Sequence, residues 1–448
     1  MRQLPLITEN VVDTEGNAGF TLRRYNVGEN EPFETTSHTN SETSLQDIFP
    51  FNNTNLELEG VMTAPKTATY YLTLTGLGPS KVTINNETIY EQKDSSSDPM
   101  GFILGGVSAP LVKFNVETGK QYKILVTSTP PIAREDEDLG ILEGKVGFRL
   151  GYMPQEEHDK DFLSEAVALA KEADYSIVFT GHTTAWETEG QDQVSFNLPK
   201  DGSQDRLVSG VAAANPQTIV VNSTGVAVAM PWLDQIKGLM QAWFPGQEAG
   251  HSIADVLTGR VNAEGHLTTT LPKRLEDCAA YGNFPGEYKG RQLTVKYAEG
   301  VFVGYRHWDN LPADMVNFPF GFGLSYTSFD FSELDVVEKS ASEWAVSMKV
   351  ANTGSVRGAI AVQVYVGSSK RVPENPAKAL VAFSKARLDA GEAQTVSLIV
   401  KARDFASWSE QDQRWKVEAA DYDFSIGRNA AELVSTVKVP VQGLSEGP

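Results

Sequence analysis

The chain of 448 residues has a single cysteine, Cys278, so no disulfide can form within it. That favours a reducing compartment only mildly, because large secreted enzymes often need no disulfide. No apolar run is long enough to span a bilayer. The first residues, Met1-Arg2-Gln3-Leu4-Pro5-Leu6, lack the apolar core of a signal peptide. Secreted and cytoplasmic settings both stay open. Positive charge is scarce: 38 Lys plus Arg stand against 58 Asp plus Glu, a net charge of −20. With no basic run, a nucleic acid or an anionic membrane is an unsuitable partner, whereas a neutral sugar is acceptable. The sequence also lacks a nucleotide-type glycine loop, metal-ligand spacing and a repeat of fixed period. No cofactor and no metal are therefore expected.

Apolar content of 41% supports a buried core, and the length suggests about three domains. The period of the hydrophobic pattern changes twice. Residues 1–155 read as β-rich. Leu56–Met62, Tyr71–Thr75, Lys81–Asn85 and Gln121–Val126 alternate, with turn signals at Gly76-Leu77-Gly78-Pro79 and Asn85-Asn86. From Gln155 onward helices and short apolar strands take turns. Phe162, Leu163, Val167 and Ala170 sit at helical spacing, before a strand at Ser176–Thr180. A helix over Asp205–Ala214 stops at Asn215-Pro216, and Thr218–Asn222 is a second strand. Gly246–Leu257 is a further helix, with Gly259 as its end. This pattern predicts an α/β layer with a mostly parallel sheet over 156–310, with a linker to about 325. Residues 326–448 return to alternation at Trp344–Val350, Ala361–Val366, Thr395–Val400 and Tyr422–Gly427, a seven-strand sandwich.

Three segments carry a resemblance. They are Thr183-Thr184-Ala185-Trp186-Glu187-Thr188-Glu189-Gly190-Gln191-Asp192, Trp243-Phe244-Pro245-Gly246-Gln247-Glu248-Ala249-Gly250, and Phe318-Pro319-Phe320-Gly321-Phe322-Gly323-Leu324-Ser325-Tyr326-Thr327. In order and spacing they resemble the C-terminal half of a family 3 glycoside hydrolase, the β-glucosidase family. Within residues 1–155, the run from Glu59-Gly60 through Ala64-Pro65, Tyr70-Tyr71, Gly78-Pro79 and Ile84-Asn85-Asn86 resembles a PA14 domain, which some of these enzymes insert into their second domain. The last domain resembles the fibronectin type III-like module that closes many of them. The N-terminal catalytic barrel that should precede these segments is not in the sequence.

The resemblance implies retaining hydrolysis of terminal β-D-glucosyl residues, with a β-glucoside or oligosaccharide as substrate. Such hydrolysis uses two carboxyl groups, one as acid/base and one as nucleophile. By resemblance the nucleophile is an Asp of the barrel, and the acid/base is a Glu of this chain. Glu189 matches, because Gly190 follows it as in the family's Glu-Gly pattern; Glu187 is the runner-up. Both belong to a loop that leaves strand 176–180, where ligands of α/β sheets sit. The family's usual Arg after Asp192 is Gln193 here, which removes a fixed positive charge beside two carboxyl groups. Trp243, Glu248 and Gly250 match a structural helix start, and Arg306 and His307 are expected to be structural. An exposed Phe102 would stack on sugar at the leaving-group site; the alternative is an ordinary loop or core phenylalanine. Three readings stand open: an enzyme lacking its barrel, a split enzyme completed by a separate barrel chain, and a non-catalytic carbohydrate-binding or assembly protein.

Overall fold

The computed structural model describes residues 4–103, 109–132, 140–183, 186–187, 193, 195–199, 201–290, 292–370 and 374–447. It divides into two compact units, residues 1–221 with 234–239, and residues 222–233 with 240–448.

The first unit opens with a β-sandwich. One sheet has seven strands; its main path runs Glu34–His38, Phe20–Asn26, Thr54–Thr63, Gln121–Ser128, Ser80–Ile84, Glu87–Gln92, and Val11–Val12 pairs with Thr54–Thr63. The other has the order Phe148–Pro154, Ala68–Gly76, Val112–Val116. The alternation read from the sequence is the reason these strands form. In Thr54–Thr63 every second side chain is buried, and Phe20, Leu58, Leu74, Val82, Val126 and Phe148 meet in one core. Strand Phe20–Asn26 carries Arg23 and Arg24 and escaped the hydrophobic pattern. Arg23 reaches Glu57 at 2.8 Å and Glu59 at 2.5 Å, while Arg24 lies over the Phe51 ring and donates to Glu34. Chain entry and exit of the sandwich adjoin: Leu6 bridges Gly151, the Tyr152 amide donates to the Pro5 carbonyl at 2.8 Å, and the Arg149 guanidinium donates to the Leu4 carbonyl at 2.7 Å.

Beyond Pro154 the pattern turns helical, as the sequence predicts. Helix Phe162–Glu172 is capped by Asp161, whose carboxylate accepts from the Ser164 amide. It packs against helix Ser203–Ala214 where Gly210 stands; a Cβ there would lie 3.2 Å from Leu163 and from Val167. The buried Asn215 ties the two helices by donating to the carbonyls of Ala170 and Ala173. Strands Ser176–Gly181, Thr218–Ser223 and Gly238–Gln241 neighbour one another in that order. The last was not legible in the sequence, being four residues long.

The second unit ends in another sandwich. A three-stranded sheet, Phe329–Ser340, Glu343–Asn352 and Ala393–Lys401, faces a four-stranded one, Ala379–Leu388, Gly358–Ser368, Ala420–Asn429 and Glu432–Val441. Trp344, Val364, Leu388 and Phe424 are at or below 1% exposure in the shared core. The seven expected strands are these, with a small extra sheet of three short strands beside them.

Candidate functional site

The site is built on the end of strand Ser176–Gly181. Ser176, Val178 and Thr180 point inward, while Ile177 and Phe179 point outward, Phe179 at 61% exposure. The strand end is held from the following helix. Gln204 accepts from the Gly181 amide through Oε1 and donates to the Gly181 carbonyl through Nε2, both at 2.8 Å. A side-chain amide thus replaces a strand neighbour for that residue and fixes where the loop departs.

The next residue, His182, has a side chain only 3% exposed. A tight turn follows, in which the amides of Trp186 and Glu187 donate to the Thr183 carbonyl at 2.8 and 3.0 Å. It brings the Glu187 carboxylate back to His182, with Oε2 2.8 Å from Nδ1. Gln193 reaches the same nitrogen at 3.2 Å. Glu189 itself lies outside the described residues. On the return limb Leu198 is fully buried, and Asp201 sits just ahead of the helix. The Ser203 amide donates to the Asp201 carboxyl and holds it below the usual carboxylate range, outweighing its partial burial. Helix Ser203–Ala214 thereby starts with an anion near its N-terminus, which its dipole favours.

Phe102 does not offer the exposed ring that sugar stacking needs. It lies in the short helix Pro99–Ile103, whose start is tied by Asp98 accepting from the Gly101 amide, and packs at 8% exposure with Ile48 and Leu77. The core alternative is the one these contacts support. Apolar contact around a short helix outweighed the turn chemistry of Asp98-Pro99.

In the second unit, Trp243 holds a left-handed backbone at φ 55°, and Gly246 follows at φ 73°. Such a conformation costs a non-glycine residue of order 1 kcal/mol. Glu248 stands at the residue before helix Ala249–Leu257, and its carboxylate meets His251 Nδ1 at 2.8 Å instead of capping a backbone amide. The helix begins three residues later than the Gly246 start read from the sequence, and both end at Leu257. Ile253, Val256 and Leu257 line one side of this helix, yet none of its residues is buried. His307 meets the Asp277 carbonyl at 2.8 Å, a packing role. Among the described residues no three His, Cys, Asp or Glu side chains gather as a metal set, and no helix is long and apolar enough to cross a membrane.

The profile of the glycosyl hydrolase family 3 C-terminal domain matches residues 32–305. The chain belongs to glycosyl hydrolase family 3. A fibronectin type III-like domain matches residues 361–430, inside the second sandwich. Beta-glucosidase B of Emericella nidulans is 46% identical, across 100% of this chain and 54% of the relative. Probable beta-glucosidase I of Aspergillus oryzae is 32% identical, across 98% of this chain and 54% of its own length. The crystal structure of a beta-glucosidase from Kluyveromyces marxianus in complex with glucose superposes with a TM-score of 0.84 at 31% identity, covering 100% of this chain and 54% of that one. The chain spans about half the length of the curated relatives it matches.

Two features of the site escaped sequence reasoning. Gln204 has no signal in a single sequence, since a glutamine in a first helical turn is commonplace. His182 had a faint one: a histidine immediately after an apolar strand, five residues before a glutamate.

Proposed function

We propose that this chain supplies the acid/base half of a retaining β-glucosidase. Glu189 protonates the glycosidic oxygen as the aglycone leaves, then takes a proton from the water that releases the sugar. The nucleophilic Asp comes from a barrel domain outside this sequence, placed roughly 5 Å from Glu189 as retaining chemistry requires. The observation that carries this reading is the similarity to beta-glucosidase B along the whole chain. The Glu189-Gly190 pair in the loop after strand Ser176–Gly181 adds to it. Glu187 is already engaged by His182, which leaves Glu189 as the better acid.

Finer parts of the same reading follow. Residues 1–155 are a PA14-type module, 156–310 the family 3 α/β domain with a linker to about 325, and 326–448 the closing sandwich. The α/β sheet is mostly parallel; neighbouring strands Ser176–Gly181 and Thr218–Ser223 are joined through a helix, the connection that parallel pairs need. A barrel partner is supported by outward Ile177 and Phe179, because parallel sheets are normally covered on both faces.

The test is hydrolysis of an aryl β-glucoside. Alone, the chain should turn over very slowly, since covalent catalysis and orientation are missing. Joined to a family 3 barrel it should gain turnover, and Glu189→Gln should remove most of that gain. Fast hydrolysis by the chain alone would demand a second catalytic carboxylate within it and overturn the proposal. Sugar binding without any gain on joining would favour a carbohydrate-binding protein.

A further inference from the structure

Residues 305–320 lie on the outer face of the four-stranded sheet of the second unit. In strand Gly358–Ser368, Val362, Val364 and Val366 enter the core, so Gln363 and Tyr365 between them face outward, yet they are only 4% and 0% exposed. The covering segment is pinned to the sandwich at both ends. The Leu380 amide donates to the Tyr305 hydroxyl at 2.8 Å, and the Ala430 amide donates to the Phe320 carbonyl at 2.9 Å. The Tyr305 ring meets those of Phe320 and Tyr365 with centres 5.2 and 5.9 Å apart. A cavity of about 260 Å³ opens here, lined by this segment, by Thr270 and Lys378, and by the hairpin that joins strands Ala420–Asn429 and Glu432–Val441.

Its inner end is polar. Thr270 is buried, and so are most of the Asp309 and Lys378 side chains, which form an ion pair. Lys378 Nζ also lies 5.6 Å from the centre of the Tyr365 ring. No other charged residue lines the cavity, so its net charge is zero. An anion would be repelled by Asp309 and a cation by Lys378. Hydrogen-bond donors remain in excess. The Tyr305 hydroxyl accepts from Leu380 and the Thr270 hydroxyl accepts from the Phe320 amide at 3.2 Å, but neither gives its own hydrogen to a protein acceptor among the described residues. An ammonium carries three N–H groups, and Asp309 takes one from Lys378. The remaining walls are apolar, with the Trp308 ring among them and Leu433, 42% exposed, at the mouth.

We propose that this cavity is a non-catalytic binding site for one uncharged pyranose ring. A pyranose carries acceptor oxygens around its rim and C–H groups on its faces. The oxygens accept from Tyr305, Thr270 and Lys378, and a C–H face packs on Trp308. A purely apolar ligand would leave those donors without partners, at a cost. The volume lies just below the ~300 Å³ at which pockets for larger ligands begin, so it holds one ring and not a chain. The ring is either a free monosaccharide or the end of an oligosaccharide that leaves through the mouth. The inference does not depend on the role given to Glu189.

The test is a ligand-observed NMR titration of the full chain with methyl β-D-glucopyranoside, which should bind saturably. Trp308→Ala should weaken that binding roughly tenfold, by removing the stacking face. Leu433→Trp should weaken it at least as much by filling the mouth, and because Leu433 is an exposed hairpin residue this variant should keep its fold, checked by thermal unfolding. Leu433→Ala should stay within about twofold of the parent, since it leaves the mouth open. Cellobiose separates the two sources of the ring: affinity equal to that of the glucoside means a chain end is seated, and weaker affinity means a free monosaccharide; either supports the site. Absence of saturable binding would overturn the proposal. So would binding unchanged in both Trp308→Ala and a folded Leu433→Trp, because the sugar would then sit elsewhere. Equal competition by cyclohexanol, which has the ring without the rim of oxygens, would reduce the site to an apolar hollow, and displacement by inorganic phosphate would make it an anion site; each would refute the pyranose assignment.

Discussion

Replacing Gln204 should loosen the root of the loop, and the size of the effect follows from two hydrogen bonds. Its side-chain amide satisfies both the N–H and the C=O of Gly181, each at 2.8 Å. A neutral bond contributes about 1 kcal/mol net, so the pair contributes about 2 kcal/mol. Gly181 is partly exposed, and water can take one of the vacated places; the loss then falls toward about 1 kcal/mol. At about 1.4 kcal/mol per factor of ten, Gln204→Met should speed exchange of the Gly181 amide by about five- to thirtyfold. Methionine is the informative substitution because it keeps length and helix propensity while removing both bonds. Gln204→Ala should behave similarly, since the effect is attributed to the amide and not to volume. Peptide-resolved hydrogen exchange reads this directly. The reasoning fails if Gln204→Met leaves the Gly181 amide within twofold of the parent, or if strand Thr218–Ser223 loosens to the same extent.

Two further outcomes are expected. Phe179 is 61% exposed and Ile177 47%, so the chain should bind a hydrophobic dye, and Phe179→Thr with Ile177→Thr should cut that binding while moving stability by no more than about 0.5 kcal/mol; dye binding unaltered in the double variant would place the apolar surface elsewhere. Burial pushes the Glu59 carboxyl up, but Lys123 and Arg23, each at 2.5 Å, outweigh this and hold it below the ordinary value of 4.5. Its stabilisation is therefore complete above that value and is lost as pH falls through the depressed one, so Glu59→Gln should flatten the stability of the first unit against pH below about 4.5; equal acid sensitivity of the two proteins would refute it.

Much of this architecture was legible because burial imprinted a period on the residues. Thr54–Thr63 and Glu343–Asn352 alternate perfectly enough to be read as half-buried strands. Helix Ser203–Ala214 announced its end through Asn215-Pro216. Legibility failed where burial is not the organising force. Strand Phe329–Ser340 is mostly exposed, so it has little pattern to read, and Phe20–Asn26 buries Arg24, which Glu34, the Asp47 carbonyl and the Phe51 ring make tolerable. At the site the glutamate loop was visible through its resemblance. The contacts of His182 with Glu187 and of Gln204 with Gly181 were not, because a contact between residues 5 or 23 apart leaves no trace in one sequence.

The adjoining ends of the first sandwich have an architectural consequence. Because residues 4–6 lie along strand Phe148–Pro154, the chain enters and leaves this body through one narrow gate. A body of that kind can be threaded into a surface turn of a host fold, whose two cut ends need part by little more than the ~4.8 Å between neighbouring strands. The entropic charge to the host grows only with the logarithm of the guest's length, so well over a hundred residues weigh little more than a long loop. Gain or loss of the whole sandwich is thus a change that the host's own hydrogen bonding need not register.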